Sequence, residues 1–454
     1  MKRISKLNTE HKEFYRKVFA LVIPMALQNL INVGVTATDV VMLGKVGETS
    51  LSASSLAGQV QFILTLFIFG LGSGAAVLTS QYWGKRDFTS IEKIMAMAMR
   101  ITLIISILFT LCAFCIPSHL LRLFTSETAL IEEGTVYLRI IGFSYIIASL
   151  TTIYLNVLRS VERVMISTIV YLISLIVNII LNSIFIFGLF GFPALGIAGA
   201  ALGTVCARFV ELIVIVIYTK KVKLPIHLTM KRLLSHDPLL FKDFLRYASP
   251  VVVNELFWGI AVSVNTSIMG HLGSAVIAAN SITQVLRQLA MVVTFGLANA
   301  TAIMVGKAIG EGNMDNAKIY ARRLLRLSVL FGTIGAILIL CVHPIIVSTM
   351  SLSELAKDYF AMMIWVMSYF CIGQAINTTL VVGVFRGGGD TKFGLFLDVS
   401  TMWGGSLLFG ALAAFVFHAP VTIVYMILMS DEIIKIPITF IHYRRGKWAQ
   451  NITR

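Results

Sequence analysis

The sequence predicts an all-α polytopic membrane protein with twelve transmembrane helices in two pseudo-symmetric six-helix lobes. Three observations support this prediction: an apolar composition, a series of apolar segments of membrane-spanning length, and an internal repeat. Hydrophobic residues make up 57% of the 454 residues, charged residues only 13%, and the mean hydropathy is +0.87. Soluble globular proteins carry about 25% charged residues. The composition therefore excludes an ordinary water-soluble domain.

The apolar segments have the length that a spanning helix requires, which is about 20 residues. Each is expected to form one transmembrane helix. The windows lie at residues 18–43, 55–80, 94–116, 136–158, 165–188, 196–218, 246–270, 280–305, 323–347, 360–384, 393–417 and 421–442.

The internal repeat appears when the chain is laid against itself at an offset of 226 residues. Residues 24–87 then align with residues 250–313 without a gap, and a proline and four glycines coincide. Because six spans precede the second copy, both copies have the same orientation and are related by an axis along the membrane normal. The predicted domains are an N-lobe over 1–219, a cytoplasmic linker over 220–244 and a C-lobe over 245–454.

The net charge of +15 and the pI of about 9.7 could indicate nucleic-acid binding, but the placement of the basic residues argues against it. Most Lys and Arg fall in the segments that are cytoplasmic if both termini are inside. That asymmetry is the positive-inside rule, so the charge reflects topology and faces anionic lipid. We predict a multi-pass protein of the plasma (inner) membrane with both termini in the cytoplasm and no nucleic-acid partner.

The first predicted span carries a polar face. Gln28, Asn32, Thr36 and Asp39 recur at steps of four, four and three, which places them on one side of a helix. Pro24 lies in the same helix, where it removes a backbone hydrogen bond and favours a bend. A carboxylate within a span costs a few kcal/mol and normally faces a partner or a water-filled cavity. Asp39 is therefore the first functional candidate, the alternative being an acid at the outer end of the helix.

Amide side chains in the fifth span are candidates for the same site. Asn178 and Asn182 are four residues apart and share a helical face, and Thr204 in the sixth span is a weaker candidate. Amide oxygens can bind a hard cation or hydrogen-bond to a carboxylate. Beside Asp39 these residues would form an Na⁺ or H⁺ site with Asp39 as the candidate metal ligand. Alone they would be interhelical hydrogen-bonding groups.

The second copy differs at the corresponding positions. Asn265 aligns with Asp39, and Glu255 lies in the half of the seventh span nearer the cytoplasm. Glu255 would recognise a cation or handle a proton, or it would form a salt bridge with Arg287. A cavity for flat organic cations could be lined by Gln28, Asn32, Thr36, Glu255, Trp258, Asn265, Tyr369 and Gln374.

The other charged residues within the spans are interpreted mainly as structural. Asp431 with Lys435, four apart, and Arg208 with Glu211, three apart, are expected to pair along one helix, with Glu432 pointing elsewhere. Asp398 is left as a second-site or interfacial residue.

The chain shows no enzyme-like constellation. All eight histidines fall outside the spans or at their edges, and no pair of carboxylates accompanies a nucleophile. The glycine run at 387–389 lacks the lysine and hydroxyl spacing of a phosphate-binding loop and is interpreted as a turn. We expect no enzymatic activity and no cofactor.

Ordered motifs along the whole chain resemble the multidrug and toxic compound extrusion (MATE) family. They are the first-span pattern of Pro24, Gln28 and Asp39, the turns QYWGKRD and FRGGGDTK, and the closing stretch DEIIKIPITFIHYRRGKW, which is similar to bacterial members. In that family the matching proline and aspartate are associated with helix bending and ion coupling. An amide, Asn182, stands where the DinF-like branch has an aspartate, which favours Na⁺.

The resemblance implies a monomeric antiporter that exports amphipathic organic cations from the cell in exchange for Na⁺ or H⁺ by alternating access. The alternative within the same superfamily is a lipid-linked oligosaccharide flippase, which would be expected to have a strongly cationic central cavity. A channel is disfavoured by the two-copy architecture with a proline inside a span, and a membrane enzyme by the missing catalytic set.

Overall fold

The computed structural model describes residues 2–222, 226, 229–235, 237–349 and 353–454. The first half of the chain forms α1 (Lys2–Val46), α2 (Glu48–Lys85), α3 (Phe88–Cys115), α4 (Pro117–Arg122), α5 (Thr128–Ser160), α6 (Met165–Phe187) and α7 (Ile197–Lys221). The second half forms α8 (Met230–Leu233), α9 (Pro238–His271), α10 (Ser274–Gly310), α11 (Met314–Thr349), α12 (Glu354–Thr378), α13 (Thr391–Asp398), α14 (Leu408–Phe415), α15 (Val421–Leu428) and α16 (Asp431–Arg445). The all-α polytopic prediction is confirmed.

Within the described residues, eleven helices are long and apolar enough to cross a membrane. The twelfth predicted span, 421–442, is broken into α15 and α16, and Met429 and Ser430 separate the two helices. The physical reason lies in α16, which has Asp431, Glu432 and Lys435 in its first turns and Pro437 after them. These residues make the segment too polar and too interrupted to form one continuous apolar helix.

Two helical stretches of the second half have π-helical geometry. One, Thr379–Phe385, continues α12, and the other, Val399–Leu407, joins α13 to α14. A π turn inserts an extra residue and so rotates the side chains that follow it, and it is frequent at functional sites. Arg386 directly follows the first π stretch and Asp398 directly precedes the second. Both residues take part in buried ion pairs.

The outer surface of the helices is apolar. Large hydrophobic side chains such as Ile104 (70% exposed) and Trp365 (67%) project from the middle of long helices, and Phe396 (73%) projects from α13. A soluble monomer rarely exposes contiguous apolar surface on this scale. These side chains therefore face the hydrocarbon of a bilayer.

The chain divides into two compact units. One consists of residues 27–79 and 87–252, and the other of residues 1–26, 80–86 and 253–454. We call them the first and the second unit. The first unit holds the packed pairs of α6 with α7 and α3 with α5, and the second holds α10, α11 and α12 packed on one another. The lobe boundaries predicted from the repeat stay a prediction.

The predicted linker, 220–244, contains the short helix α8 and the start of α9, while residues 223–225, 227, 228 and 236 lie outside the described residues. Asp237 caps α9, because its Oδ1 accepts a hydrogen bond of 3.1 Å from the backbone N–H of Leu240. The Lys93 ammonium, 2.9 Å from Asp237 Oδ2, together with that backbone N–H, holds the pKa of Asp237 below its usual value.

The last nine residues form an ordered segment, residues 446–454, without regular secondary structure. Trp448 is 1% exposed, and Gln450 donates its backbone N–H to the carbonyl of Gly388 at 2.9 Å. The Gln81 side chain donates to the carbonyls of Gly387 and Gln450 and accepts from the backbone N–H of Ile452, at 3.0–3.1 Å. The glycine run therefore serves as a docking surface for the C-terminal segment, within the second unit.

Candidate ion site and cavity in the first unit

Asp39 of α1 contacts Asn182 of α6, which in turn contacts Asn178 on the same helix. The Nδ2 amide of Asn182 donates to Asp39 Oδ1 at 2.6 Å and to Asn178 Oδ1 at 3.2 Å. Because α6 is apolar apart from a few small polar residues, the two amides form a polar stripe on an otherwise hydrophobic helix. The structure thus brings the predicted carboxylate and both predicted amides into one hydrogen-bonded chain.

Thr204 of α7 completes this chain. Asn178 Nδ2 donates to Thr204 Oγ1 at 3.3 Å, and the threonine hydroxyl donates to the carbonyl of Ala200 at 3.1 Å. The side chains of Asn178 and Asn182 are buried, at 2% and 0% exposed. A Cβ atom on Gly203 would overlap the Asn182 side chain, so the close packing of α7 on α6 depends on this glycine.

A cavity of about 550 Å³ adjoins these residues within the first unit. Its charged lining residues are Asp39, Arg208 and Glu211, and Arg208 Nη1 donates to Glu211 Oε1 at 2.5 Å, the pair expected from the sequence. One positive and two negative groups leave the wall with a single net negative charge. The other polar and aromatic lining residues include Asn32, Thr36, Gln59, Gln61, Phe62, Thr65, Tyr137, Tyr171, Ser174 and Thr204.

The two ends of the α1 polar face lie in different surroundings. Asn32 and Thr36 line the cavity, whereas Gln28 lies outside its lining, 1% exposed, with its amide donating to Thr168 Oγ1 at 2.9 Å. Gln28 Oε1 also accepts from Arg159 Nη1 at 3.1 Å. Pro24 lies inside α1, which is helical from Lys2 to Val46. The predicted bend at Pro24 stays a prediction.

The donor set around Asp39 suits a small hard cation or a proton. It offers one carboxylate, the Asn178 amide oxygen, the Thr204 hydroxyl and Asn182 Oδ1, and Asn182 Oδ1 has no hydrogen-bond partner within the described residues. Monovalent and other hard cations prefer oxygen ligands of this kind. Among the described residues no three His, Cys, Asp or Glu side chains are arranged to hold a metal ion.

The predicted residues of the second copy lie in the second unit and are not among the lining residues of this cavity. Glu255 forms its ion pair with Arg386, at 2.8 Å, so the alternative that it pairs with Arg287 is wrong. The reason is that Arg287 is held elsewhere, donating to Gln284 at 2.8 Å and to buried Gln374 at 3.1 Å. Trp258 is 39% exposed, and Asn265 and Tyr369 are half-buried.

A buried charge cluster in the second unit was only partly foreseen. Lys435 pairs with Asp431 at 3.1 Å, as expected, but its shortest partner is Asp398 at 3.0 Å. Glu432 does not point elsewhere, because its Oε1 lies 3.7 Å from Lys435 Nζ. The four-residue spacing within α16 predicted only the contact between Lys435 and Asp431. The contact with Asp398 depends on how α13 packs against α16, which the spacing does not encode.

A polytopic helical protein with a polar cavity and a carboxylate in the cavity wall has features that are typical of membrane transporters. The MatE family model matches residues 24–184 and again residues 250–404. The chain therefore belongs to the multidrug and toxic compound extrusion (MATE) family and is a transporter rather than an enzyme.

Individual relatives agree with the family match. A probable multidrug resistance protein YoeA of Bacillus subtilis (strain 168) is 24% identical over 396 residues, which cover 86% of this chain and 85% of the relative. A probable multidrug resistance protein NorM of Agrobacterium fabrum (strain C58 / ATCC 33970) is 29% identical over 72% of this chain and 69% of the relative. A crystal structure of a MATE protein in the bent conformation superposes with a TM-score of 0.85, at 19% identity over 95% of both chains.

Proposed function

We propose that this transporter exports amphipathic organic cations from the cell in exchange for Na⁺ or H⁺, with Asp39 as the ion-coupling residue. The observation that carries the proposal is the contact of 2.6 Å between Asp39 and Asn182 at the wall of a cavity with one net negative charge. A cationic substrate gains Coulomb energy in such a cavity, and an anionic one loses it.

The size and the wall of the cavity support a small organic substrate. A volume of about 550 Å³ falls within the range of roughly 300–1,000 Å³ that is usual for small-molecule sites. Phe62, Tyr137 and Tyr171 supply aromatic surface against which a flat cation can lie. The names of the curated relatives, which describe multidrug resistance, point in the same direction.

Exchange of the drug for the ion follows because both compete for the one net negative charge of the cavity wall. With Asp39 ionised, the Asn182 amide hydrogens satisfy the carboxylate. A half-turn of that amide would present Oδ1, which has no hydrogen-bond partner in the described part of the chain, to a proton on Asp39 or to Na⁺. Ion binding then neutralises the wall and weakens the hold on a cationic drug. A coupling free energy of about 1–3 kcal/mol, or roughly 5- to 150-fold in affinity, is typical of such linkage.

The second part of the proposed mechanism is a change in α1. Pro24 removes one backbone hydrogen bond from the helix that carries Asp39, so the helix has a natural point at which to bend. We infer that the occupied and empty forms of the ion site favour different bends, and that this difference biases the side of the membrane to which the cavity opens.

The alternative, a lipid-linked oligosaccharide flippase, has less support. A diphosphate-linked substrate requires a cationic cavity, but Arg208, the one basic residue in the lining, is paired with Glu211. The net charge of the wall thus favours a cation over an anion.

The test is substrate flux in proteoliposomes with Na⁺ and pH gradients imposed separately. In Asp39→Asn protein we expect gradient-driven efflux of an organic cation to fall at least about tenfold, toward the passive leak, because the ion can no longer be bound as a charge-compensating partner. Glu48→Gln, which removes an exposed carboxylate at the start of α2, should transport like the wild type. Wild-type flux in Asp39→Asn vesicles would refute the assignment of coupling to Asp39.

A further inference from the structure

The second unit contains a set of charged side chains that the proposed ion site does not use. Lys435 Nζ lies 3.0 Å from Asp398 Oδ1, 3.1 Å from Asp431 Oδ2 and 3.7 Å from Glu432 Oε1. We call these four residues the Lys435 cluster. Their side chains are only 6–18% exposed, and Asp398 comes from α13 while the other three lie on α16.

The cluster is not electrically balanced. One ammonium faces three carboxylates, which leaves two excess negative charges if all four groups are ionised. Arg287 of α10, within electrostatic range of Asp431 and Glu432, offsets one of them. Neutral groups also contact the cluster: Asn377 donates to Glu432 Oε2 at 2.8 Å and Asn254 to Asp398 Oδ2 at 2.9 Å, while Cys371 and Tyr425 lie near Arg287. An uncompensated buried carboxylate is costly, so one further positive charge is required.

The hydrogen bonds of the cluster show which carboxylate oxygens could accept the further positive charge. The Lys435 ammonium is within hydrogen-bond distance of Asp398 and Asp431 but not of Glu432 Oε1, at 3.7 Å. The other oxygen of Glu432, Oε2, accepts from Asn377 Nδ2 at 2.8 Å. Glu432 therefore has one carboxylate oxygen without a close donor among these groups.

Asn254 supplies an independent observation. It is 5% exposed, and its Nδ2 donates to Asp398 Oδ2 at 2.9 Å. Its Oδ1 has no hydrogen-bond partner in the part of the chain that the structure describes. Reversal of this amide would place Oδ1 as an acceptor for a proton on Asp398. An unsatisfied buried acceptor is costly, and the O–H of a protonated carboxyl group is a donor that would satisfy it.

We propose that the Lys435 cluster is a second proton-binding site, in which one proton is shared among Asp398, Asp431 and Glu432. A sodium ion fits poorly, because Lys435 already occupies the centre of the carboxylates and would repel a second cation. The proton comes from water and returns to water, and no covalent bond other than O–H forms or breaks. The existence of the site rests on the second unit alone, and its use in transport rests on the proposed function.

The experiment is infrared difference spectroscopy of the purified full-length protein in lipid nanodiscs during a pH titration. The carbonyl band of a protonated carboxyl group is distinct from the bands of a carboxylate. We expect the wild type to show a titrating band that is lost in Glu432→Gln or Asp398→Asn and retained in Asp39→Asn. In Lys435→Gln, where the ammonium is gone, this band should persist to more alkaline pH. Glu354→Gln, an exposed acid with an 89% exposed side chain, is the matched control and should leave the band unchanged.

Two results would overturn the proposal: all titrating carboxyl bands survive in each cluster variant, or Na⁺ abolishes the band at constant pH. A variant that does not fold is replaced by the other two, since each removes a different member of the cluster. The outcome is separable from the proposed function. Wild-type flux in Asp39→Asn vesicles together with an intact cluster band would count against the proposed coupling at Asp39 only. Loss of flux in Asp39→Asn vesicles without any cluster band in the wild type would count against this inference only.

Discussion

At the scale of single residues, Asn182 connects the functional groups of the first unit. Its amide nitrogen contacts Asp39 and Asn178, while its carbonyl oxygen has no hydrogen-bond partner within the described residues and lies beside Gly203. A side chain with both a donor and a free acceptor can serve a carboxylate in either charge state. Its position is set by the glycine opposite, because no larger residue leaves room for it.

The prediction at this scale concerns Gly203→Ala. The added methyl group would overlap Asn182 and push its amide away from Asp39, at an overpacking cost of about 1–3 kcal/mol. We expect a lower thermal unfolding midpoint and weaker ion-driven flux in proteoliposomes. Gly58→Ala adds the same group to the wall of the same cavity, where nothing lies within 4 Å, and should be neutral in the unfolding measurement. Equal effects of the two substitutions would show that the Asn182 contact is not the cause.

At the scale of elements, the π-helical stretches and the C-terminal segment determine how the second unit is arranged. The first π stretch ends at Phe385, so that Arg386 reaches Glu255, and the glycine run that follows holds the C-terminal segment. Gly388 carries no side chain where Trp448 packs, and a Cβ atom there would overlap the Trp448 backbone and ring. The turn therefore has a packing role that its sequence alone did not reveal.

Trp448→Ala and Gly388→Ala should both release the C-terminal segment. Loss of a fully buried tryptophan costs about 3–5 kcal/mol, and the methyl group at Gly388 about 1–3 kcal/mol. We expect a lower unfolding midpoint and faster proteolysis after residue 445, measured by limited digestion and mass spectrometry. Gly404→Ala, with nothing within 4 Å of the added Cβ, is the control. An unchanged digestion pattern in both variants would mean that the segment is not held by this contact.

At the scale of the whole molecule, the two sequence copies make a related contact with different chemistry. In the first unit Arg159 pairs with neutral Gln28, and in the second Arg386 pairs with Glu255, each across a separation of 131 residues. The first copy places Asp39 in the cavity wall beside the Arg208–Glu211 pair, whereas the second places Glu255 in an ion pair with Arg386 and Asp398 in one with Lys435. The two copies thus share a contact at similar positions, whereas their charged residues differ.

Membrane orientation gives the prediction for the whole chain. The bias of Lys and Arg toward alternate loops predicts that both termini are cytoplasmic. In a cysteine-free background, a membrane-impermeant maleimide added to intact cells should label a Glu48→Cys variant, which is predicted to be outside. A Lys447→Cys variant should be labelled only after permeabilisation. Both positions are exposed, so access is governed by sidedness. Labelling of the Lys447→Cys variant in intact cells would reverse the predicted topology.

Most of the fold and part of the site could be predicted from the sequence because they depend on local periodicity. Apolar segment length determined the spans, and helical spacing determined that Asn32, Thr36 and Asp39 share a face. Spacing also predicted the pairs of Arg208 with Glu211 and of Asp431 with Lys435, since residues three or four apart on a helix are neighbours.

The tertiary structure decided the contacts between distant segments. It selected Arg386 over Arg287 as the partner of Glu255, placed Asp398 nearest to Lys435, left Gln28 outside the cavity lining, and docked the C-terminal segment on the glycine run. Such choices depend on how helices rotate and pack, and the π-helical stretches alter that rotation in a way no regular period encodes. Residue spacing specifies which side chains share one face of a helix. A functional site depends in addition on how the faces of several helices are placed relative to one another.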